Sequence, residues 1–169
     1  GRRGKDRADL EGDHRLRGLT RAERTLTAEV RVDGLDPAAL RVAAFEVEEG
    51  LSELYTARVE AQTLEPVGPE DLLDKRASLK VEVGGTRRSF HGIVVEAGVE
   101  LLRSDGALRV DVVLAPALWR CGLGKTSRIF QKKSLPDVVK ALLGEASVDR
   151  VRWKLGETHP VHEFALQLQ

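Results

Sequence analysis

Methionine does not occur in this chain of 169 residues, and cysteine occurs once, at Cys121. A single thiol rules out an internal disulfide, so stability has to come from packing, metal or partners. The redox compartment stays open. Net charge is missing as well, because 27 basic residues balance 27 acidic ones. A balanced chain has no general electrostatic attraction for nucleic acid or an anionic membrane, and neither is expected as a partner. No apolar run reaches the roughly 18 residues of a membrane-spanning helix, so no stable membrane anchor is expected. The start has no apolar signal-peptide core. Fixed-period repeats and low-complexity tracts are absent. Without an initiating methionine, and with an ending "FALQLQ" (Phe164 to Gln169) that alternates like a strand and stops, the chain reads as a fragment.

The composition itself is globular, with 41% hydrophobic and 32% charged residues. The length suits one domain with a real core, or one and part of a second. Residues 1–24 are charge-rich and poor in apolar side chains, which predicts a flexible arm. Its interspersed Asp6, Asp9, Glu11 and Asp13 argue against a nucleic-acid grip.

From Thr25 the pattern becomes that of strands. Leu26, Ala28, Val30 and Val32 share one face. Leu40, Val42 and Ala44 alternate, and then the phase shifts to Phe45 and Val47, which predicts a bulge or a bend. Tyr55, Ala57, Val59 and Ala61 form another apolar face, as do Ala77, Leu79, Val81 and Val83, and Leu108, Val110, Val112 and Leu114. Gly84-Gly85 signals a tight hairpin into a long strand, in which Gly92 and Gly98 predict bends or close backbone approach. Pro69, Glu70 and Asp71 open at most one helical turn. About six strands on short turns predict a sandwich or barrel rather than βαβ units.

One clear helix follows. Ser134 caps it, Asp137 lies in its first turn, and Gly144 follows its end. Leu135, Val138, Val139, Leu142 and Leu143 recur at helical spacing, so this helix covers a hydrophobic patch on the barrel or the next sheet. "VRWKL" and "EFALQL" read as strands again. The expected fold is mainly β with one short helix. It divides into the arm at 1–24, a first barrel over 25–133, and a helix opening a further β-region over 134–169.

Several stretches invite chemistry. Gly124-Lys125-Thr126 ends like a phosphate-binding loop. That loop needs a glycine five residues before Gly124, and the residue there is Trp119. It also needs a helix directly after, whose N-terminus would hold the phosphates, whereas "SRIFQ" reads as a strand. His159, His162 and Glu163 have metal-ligating chemistry, but Pro160 breaks the helix that a metalloprotease motif requires. Cys121 and His91 form a possible nucleophile pair that lies far apart in sequence, and a lone cysteine among strands is more often a small buried hydrophobe. Glu48-Glu49 and Glu70-Asp71 read as solvated acids, and Trp119 and Trp153 as core or interface anchors. The residues therefore describe a non-enzymatic β-rich building block, with no cofactor and no metal.

Five segments occur in order at fitting spacing: "FEVEEGLSELYTARVEA", "HGIVVEAG", "LAPALWR", "SRIFQKKSLPDVVKALL" and "HPVHEFALQL". From about Thr25 to Gln169 the chain resembles the amino-terminal part of the VgrG family, the trimeric spikes of bacterial type VI secretion systems. "SRIFQ" before a capped helix and after Pro-x-Leu-Trp is the most specific piece, followed by "EGLSELY". One departure is His162, which stands where the family usually has an arginine before the glutamate.

The resemblance implies a phage tail-hub fold of small Hcp-like β-barrels, with two barrels per chain and six per trimer to match a hexameric Hcp tube ring. It implies a needle-tip protein and effectors as partners of a missing carboxy-terminal part, assembly in the bacterial cytoplasm, and secretion or injection into target cells. Trp119, Arg128, Ile129, Phe130 and Gln131 carry the family signature and are the candidate interface residues. A phage-tail or extracellular contractile-injection hub is the alternative machine. A nucleotide- or zinc-dependent enzyme is the alternative class, and it predicts binding lost on Lys125→Ala, or on His159→Ala with His162→Ala.

Overall fold

From Leu26 to Ala115 backbone pairing follows the two-residue alternation, within the larger of two compact units, Gly1–Pro116. The computed structural model describes residues 4–9, 26–102, 106–124 and 127–167. The larger unit holds β1 (Gly4–Asp9), β2 (Leu26–Val32), β3 (Arg41–Glu49), β4 (Thr56–Thr63), α1 (Pro69–Leu72), β5 (Arg76–Val83), β6 (Thr86–Leu101) and β7 (Leu108–Ala115). Its strands form one seven-stranded sheet in the order β1-β3-β4-β7-β6-β5-β2. Every neighbouring pair is antiparallel. β2, at one end of this order, comes back within 8 Å of β3, which stands next to the other end. The sheet thus curls toward a barrel and encloses one core.

The predicted apolar faces supply that core. Ala57, Val59 and Ala61 of β4, Ala77, Leu79 and Val81 of β5, and Val110, Val112 and Leu114 of β7 are all buried. Alternate residues such as Arg58 and Gln62 point to solvent. The phase shift in β3 is a bulge, since the register with β4 slips between Val42 and Ala44. The extra residue lets both Val42 and Phe45 reach the core cluster. Gly84 and Gly85 both take positive φ, 55° and 81°, which is the geometry a two-residue hairpin demands.

β6 runs for 16 residues and serves two partners. Thr86 to Ile93 pair with β5, and Ile93 to Leu101 pair with β7, with a register slip between Val94 and Glu96. On leaving α1 the chain hydrogen-bonds to β6 at Val94, whose N–H donates to the Lys75 carbonyl at 2.9 Å. Leu72 of this short helix is fully buried in the core. Gly92 lies where β6 passes β7. A Cβ there would run into the Ala115 carbonyl and sit 3.0 Å from the Tyr55 hydroxyl. At Gly98 the nearest atom to an added Cβ is the Asp111 Cβ at 4.0 Å, so close approach explains Gly92 and not Gly98.

The smaller unit, Ala117–Gln169, opens with a 3-10 turn at Ala117–Gly122. β8 (Arg128–Ser134), α2 (Leu135–Glu145) and β9 (Val161–Gln167) follow. β8 pairs antiparallel with β9 in a separate two-stranded sheet. α2 packs on β8 and on the 3-10 turn.

The helix begins as its sequence requires. The Asp137 N–H donates to the Ser134 Oγ at 3.4 Å, and the Ser134 N–H donates to the Asp137 carboxylate at 3.1 Å, a reciprocal capping box. Hydrogen bonds from Ser134 hold the Asp137 carboxyl below its usual pKa. The end differs from the expectation. Gly144 lies inside the helix, and Ser147 takes the left-handed turn at φ 55°. The Val148 N–H then donates to the Leu143 carbonyl at 2.8 Å and the Ser147 N–H to the Gly144 carbonyl at 3.0 Å, the two bonds of a Schellman ending.

Two further expectations meet the structure here. Within the expected arm, Gly4–Asp9 form β1 against β3, and the remainder of residues 1–24 lies outside the described residues. "VRWKL" is corrected: residues 151–155 form no strand and are exposed. Alternation marks a face to bury, but a strand also needs a neighbour's backbone, and among the described residues no strand pairs with this segment.

Gly92→Ala is expected to cost about 1–3 kcal/mol, the range for overpacking a well-filled site, as read by urea denaturation. Gly98→Ala, with room for its methyl, leaves stability unchanged or raises it.

Candidate assembly surfaces

The turn between β3 and β4 is the first surface, and it follows from "EGLSELY". Gly50 accepts a hydrogen bond from the Glu53 N–H at 3.3 Å, and Ser52 is left-handed at φ 62°. A non-glycine residue held there costs roughly 1–3 kcal/mol, so its surroundings must fix it. β6 supplies that support at both feet of the turn. The Arg88 guanidinium donates to Glu49 at 2.7 Å and lies 5.0 Å from the Phe90 ring centre. On the other side the Tyr55 ring meets Phe90 with centroids 5.5 Å apart, and its hydroxyl donates to the His91 carbonyl at 2.6 Å. Burial raises the Tyr55 phenol from 10.0 to about 12. Between these anchors Leu51 stands 98% exposed, and Leu54 is also exposed.

The second surface belongs to the smaller unit. Leu118, Cys121, Val139, Leu142 and Leu143 line a groove of about 420 Å³ between the 3-10 turn and α2. Arg120, Arg128 and Glu145 add charge to its walls. Arg128 donates to Glu145, joining β8 to the last turn of α2.

The third is the outer face of the β8–β9 ribbon. Ile129 stands opposite Leu166, and Gln131 opposite Phe164. Ile129, Leu166 and Phe164 are 62–67% exposed. On the reverse face Phe130 stands opposite Ala165, and both are half-buried. The ribbon therefore splits the signature residues into two sets. Ile129 and Gln131 lie on the open face, Arg128 and Phe130 on the partly covered one, and Trp119 sits half-buried on the 3-10 turn.

The stretches that resembled chemistry find other roles or none. Lys125 and Thr126 of Gly-Lys-Thr lie outside the described residues. His159, His162 and Glu163 are exposed, with His162 opposite Lys133 in the ribbon. Among the described residues no group of three or more His, Cys, Asp or Glu could hold a metal ion. His91 belongs to the larger unit and Cys121 to the smaller. Glu49 is tied to Arg88, and Asp71 accepts from the Gly68 N–H at 2.9 Å. Sequence reasoning placed Tyr55 on an apolar face and missed its bond to β6. The available signal was the chain's single tyrosine at the end of the signature turn.

Curled antiparallel sheet, anchored turn and uncovered apolar faces define a β-barrel type of unit with apolar surface open to solvent. A family model described as phage tail baseplate hub (GPD) matches residues 48–169. The type VI secretion system spike protein VgrG1c of Pseudomonas aeruginosa is 32% identical over 146 residues, which cover 82% of this chain and 19% of that protein. VgrG3 of Vibrio cholerae, also named as such a spike protein, is 30% identical over 84% of this chain and 15% of its own length. The Vibrio cholerae protein named actin cross-linking toxin VgrG1 is 30% identical over 85% of this chain and 14% of its own length. The chain thus spans 14–19% of the length of these curated relatives.

Among solved structures, an E. coli protein, c3393, is described as a type VI secretion component with structural similarity to the T4 bacteriophage tail proteins gp27 and gp5. It shares this fold with a TM-score of 0.66 at 20% identity, over 82% of this chain and 38% of that one. The chain belongs to the phage tail baseplate hub (GPD) family.

Tyr55→Phe is expected to cost about 0.5–1.5 kcal/mol for the lost hydrogen bond. Its pH signature follows from the raised phenol. The folded chain keeps the proton where the unfolded chain releases it, so the stabilisation is complete below pH 10 and is lost as pH rises through about 12. Unfolding free energy, measured by urea denaturation across that window, should fall less steeply with pH in Tyr55→Phe than in the parent.

Proposed function

We propose that this chain is the tube-facing hub portion of a type VI secretion spike and that its role is mechanical. The observation that carries this is the hub-family match over residues 48–169, together with about 30% identity to named spike proteins across most of the chain. On this reading three copies assemble around one axis and present their barrels to a hexameric Hcp ring. Parts of the spike beyond this chain carry the needle, its tip protein and effectors. Assembly occurs in the bacterial cytoplasm, and contraction of the sheath then drives the spike outward into a target cell. The curled sheet is the first hub barrel, and the helix with the strand after it, within 134–169, opens the next β-region. Trp119 and Arg128 to Gln131 serve as interface residues, in keeping with the open placement of Ile129 and Gln131.

No step of this role makes or breaks a covalent bond, so it needs no cofactor. The family model's own description, a phage tail baseplate hub, favours one second reading, in which the same hub serves a phage tail or an extracellular contractile injection machine.

Light scattering behind a sizing column, on the intact full-length protein, tests the main reading. A mass of three protomers is expected, and a stable monomer would overturn it. Co-sedimentation with purified Hcp rings separates the two machines, with binding expected for the secretion spike.

A further inference from the structure

β1 is the least anchored strand of the larger unit. Its sequence, Gly-Lys-Asp-Arg-Ala-Asp, has alanine as its one hydrophobic side chain, so it brings little apolar area to the core that β2 to β7 share. What ties it down is backbone pairing. It stands at one end of the strand order, and among the described residues β3 is its only neighbour. The register runs from Gly4 opposite Glu49 to Asp9 opposite Ala44, along the edge of β3 that β4 leaves open. Lys5 falls opposite Glu48 and Arg7 opposite Glu46, so two basic positions meet two acidic ones in this ladder. β3 does not need β1 to stay in the sheet. Arg41 to Glu48 pair with β4, and Val42, Phe45 and Val47 join the core cluster.

We propose that β1 is an exchanged strand: in the assembled protein, β1 of one copy pairs with β3 of a second copy, in the register Gly4–Glu49 to Asp9–Ala44. The proposal rests on the self-assembly that the spike reading requires, and it names the contact. Exchange needs reach. Residues 10–25, a stretch of 16, join β1 to β2. A stretch of that length extends to roughly 50 Å, whereas a domain of about 100 residues has a radius of gyration of about 13 Å. β1 is therefore long-tethered enough to serve its own β3 or a neighbour's.

An exchanged element makes the same bonds between copies as within one, so the swap sacrifices no pairing. A threefold ring needs two different patches that meet head to tail, and β1 with the open edge of β3 is such a pair. Once copies are held around one axis, the neighbour's β1 is tethered nearby at high effective concentration, as the chain's own is.

Directly opposed residues of an antiparallel pair have Cα atoms about 4.5–5.5 Å apart, within the range a disulfide bridges. Arg7→Cys is placed in isotopically light full-length chains and Glu46→Cys in heavy ones, both with Cys121→Ser. The chains are mixed during refolding or co-expression and mildly oxidised, and linked peptides are read by mass spectrometry. A double variant carrying Arg7→Cys and Glu46→Cys in one chain checks the register.

The expected result is a link from position 7 of light chains to position 46 of heavy chains. Links confined to single chains of the double variant would overturn the proposal, because β1 then serves its own copy. No link in either sample overturns it as well, since the register itself is then absent. An equal yield when the heavy chain instead carries Glu29→Cys, on β2, marks random collision and has the same consequence. The light-scattering mass keeps the two readings apart. A trimer without the link defeats only this contact, whereas a monomer defeats the spike reading on which it rests.

Discussion

The fold depends on β6 serving two neighbours in succession. Its first half completes β5 and its second half completes β7, and Ile93 belongs to both registers. A strand that changes partner part-way along must bend, and here the bend falls between Gly92 and the slip at Val94 and Glu96. The missing side chain of Gly92 lets the backbone of β7 come close. The slip increases the local twist and turns a flat seven-stranded sheet into a curled one. The chain leaving α1 bonds to β6 at Val94, and Leu72 of that helix enters the core. The turn before β4 fastens to the same strand near the bend, through Phe90 and His91. Closure, plug and presented turn thus share one element, so a backbone shift at Gly92 would be felt at all three.

The two units differ in how far they satisfy themselves. The larger unit has a continuous core, with Leu72, Leu79, Leu114, Val94, Val110 and Val112 fully buried. Among the described residues of the smaller unit, Val138 is the only buried hydrophobic side chain, while Ile129, Leu135, Val161, Phe164 and Leu166 stand 59–67% exposed. Each large apolar side chain left in water forgoes roughly 1.5–3 kcal/mol of burial. Of these, Ile129, Phe164 and Leu166 share the open face of the ribbon, and grouped apolar surface marks an interaction site more often than scattered residues do. What holds the smaller unit in shape is therefore mostly local: the ribbon ladder, the capping box, the Schellman ending and the Arg128–Glu145 tie between β8 and α2.

Much of this was legible in the sequence, wherever a local rule and the tertiary structure agree. Period-two alternation located the strands, because a half-buried sheet face repeats every second residue. The phase change from Ala44 to Phe45 announced the β3 bulge, Gly84-Gly85 the hairpin, and Ser134 with Asp137 the start of α2. The failures share a cause. "VRWKL" has strand periodicity but no pairing neighbour among the described residues, and pairing is not a local property. Gly144 looked like the helix stop because glycine tolerates left-handed backbone. The Schellman bonds instead place that turn at Ser147, where hydrogen bonding outweighs intrinsic preference. The anchoring of the β3–β4 turn joins residues 36 apart in sequence, Tyr55 and His91, and no window of local pattern spans that distance.

The residues that looked chemical from composition have structural partners in the fold. Glu49, Asp71 and Asp137 are acids in suggestive settings, yet each completes a hydrogen bond or ion pair that fixes backbone. Tyr55 has a raised phenol pKa, a property often sought at catalytic sites. Here its proton is retained by burial, and its hydroxyl donates to a main-chain carbonyl. A catalytic acid must release its proton to a reacting atom, whereas this one is held so that the turn stays in place. The same physics that tunes an active site is used here to stiffen a surface. On the proposed spike reading, such a stiff surface would suit a part that passes force from one partner to the next, because compliance at the contact would absorb the stroke.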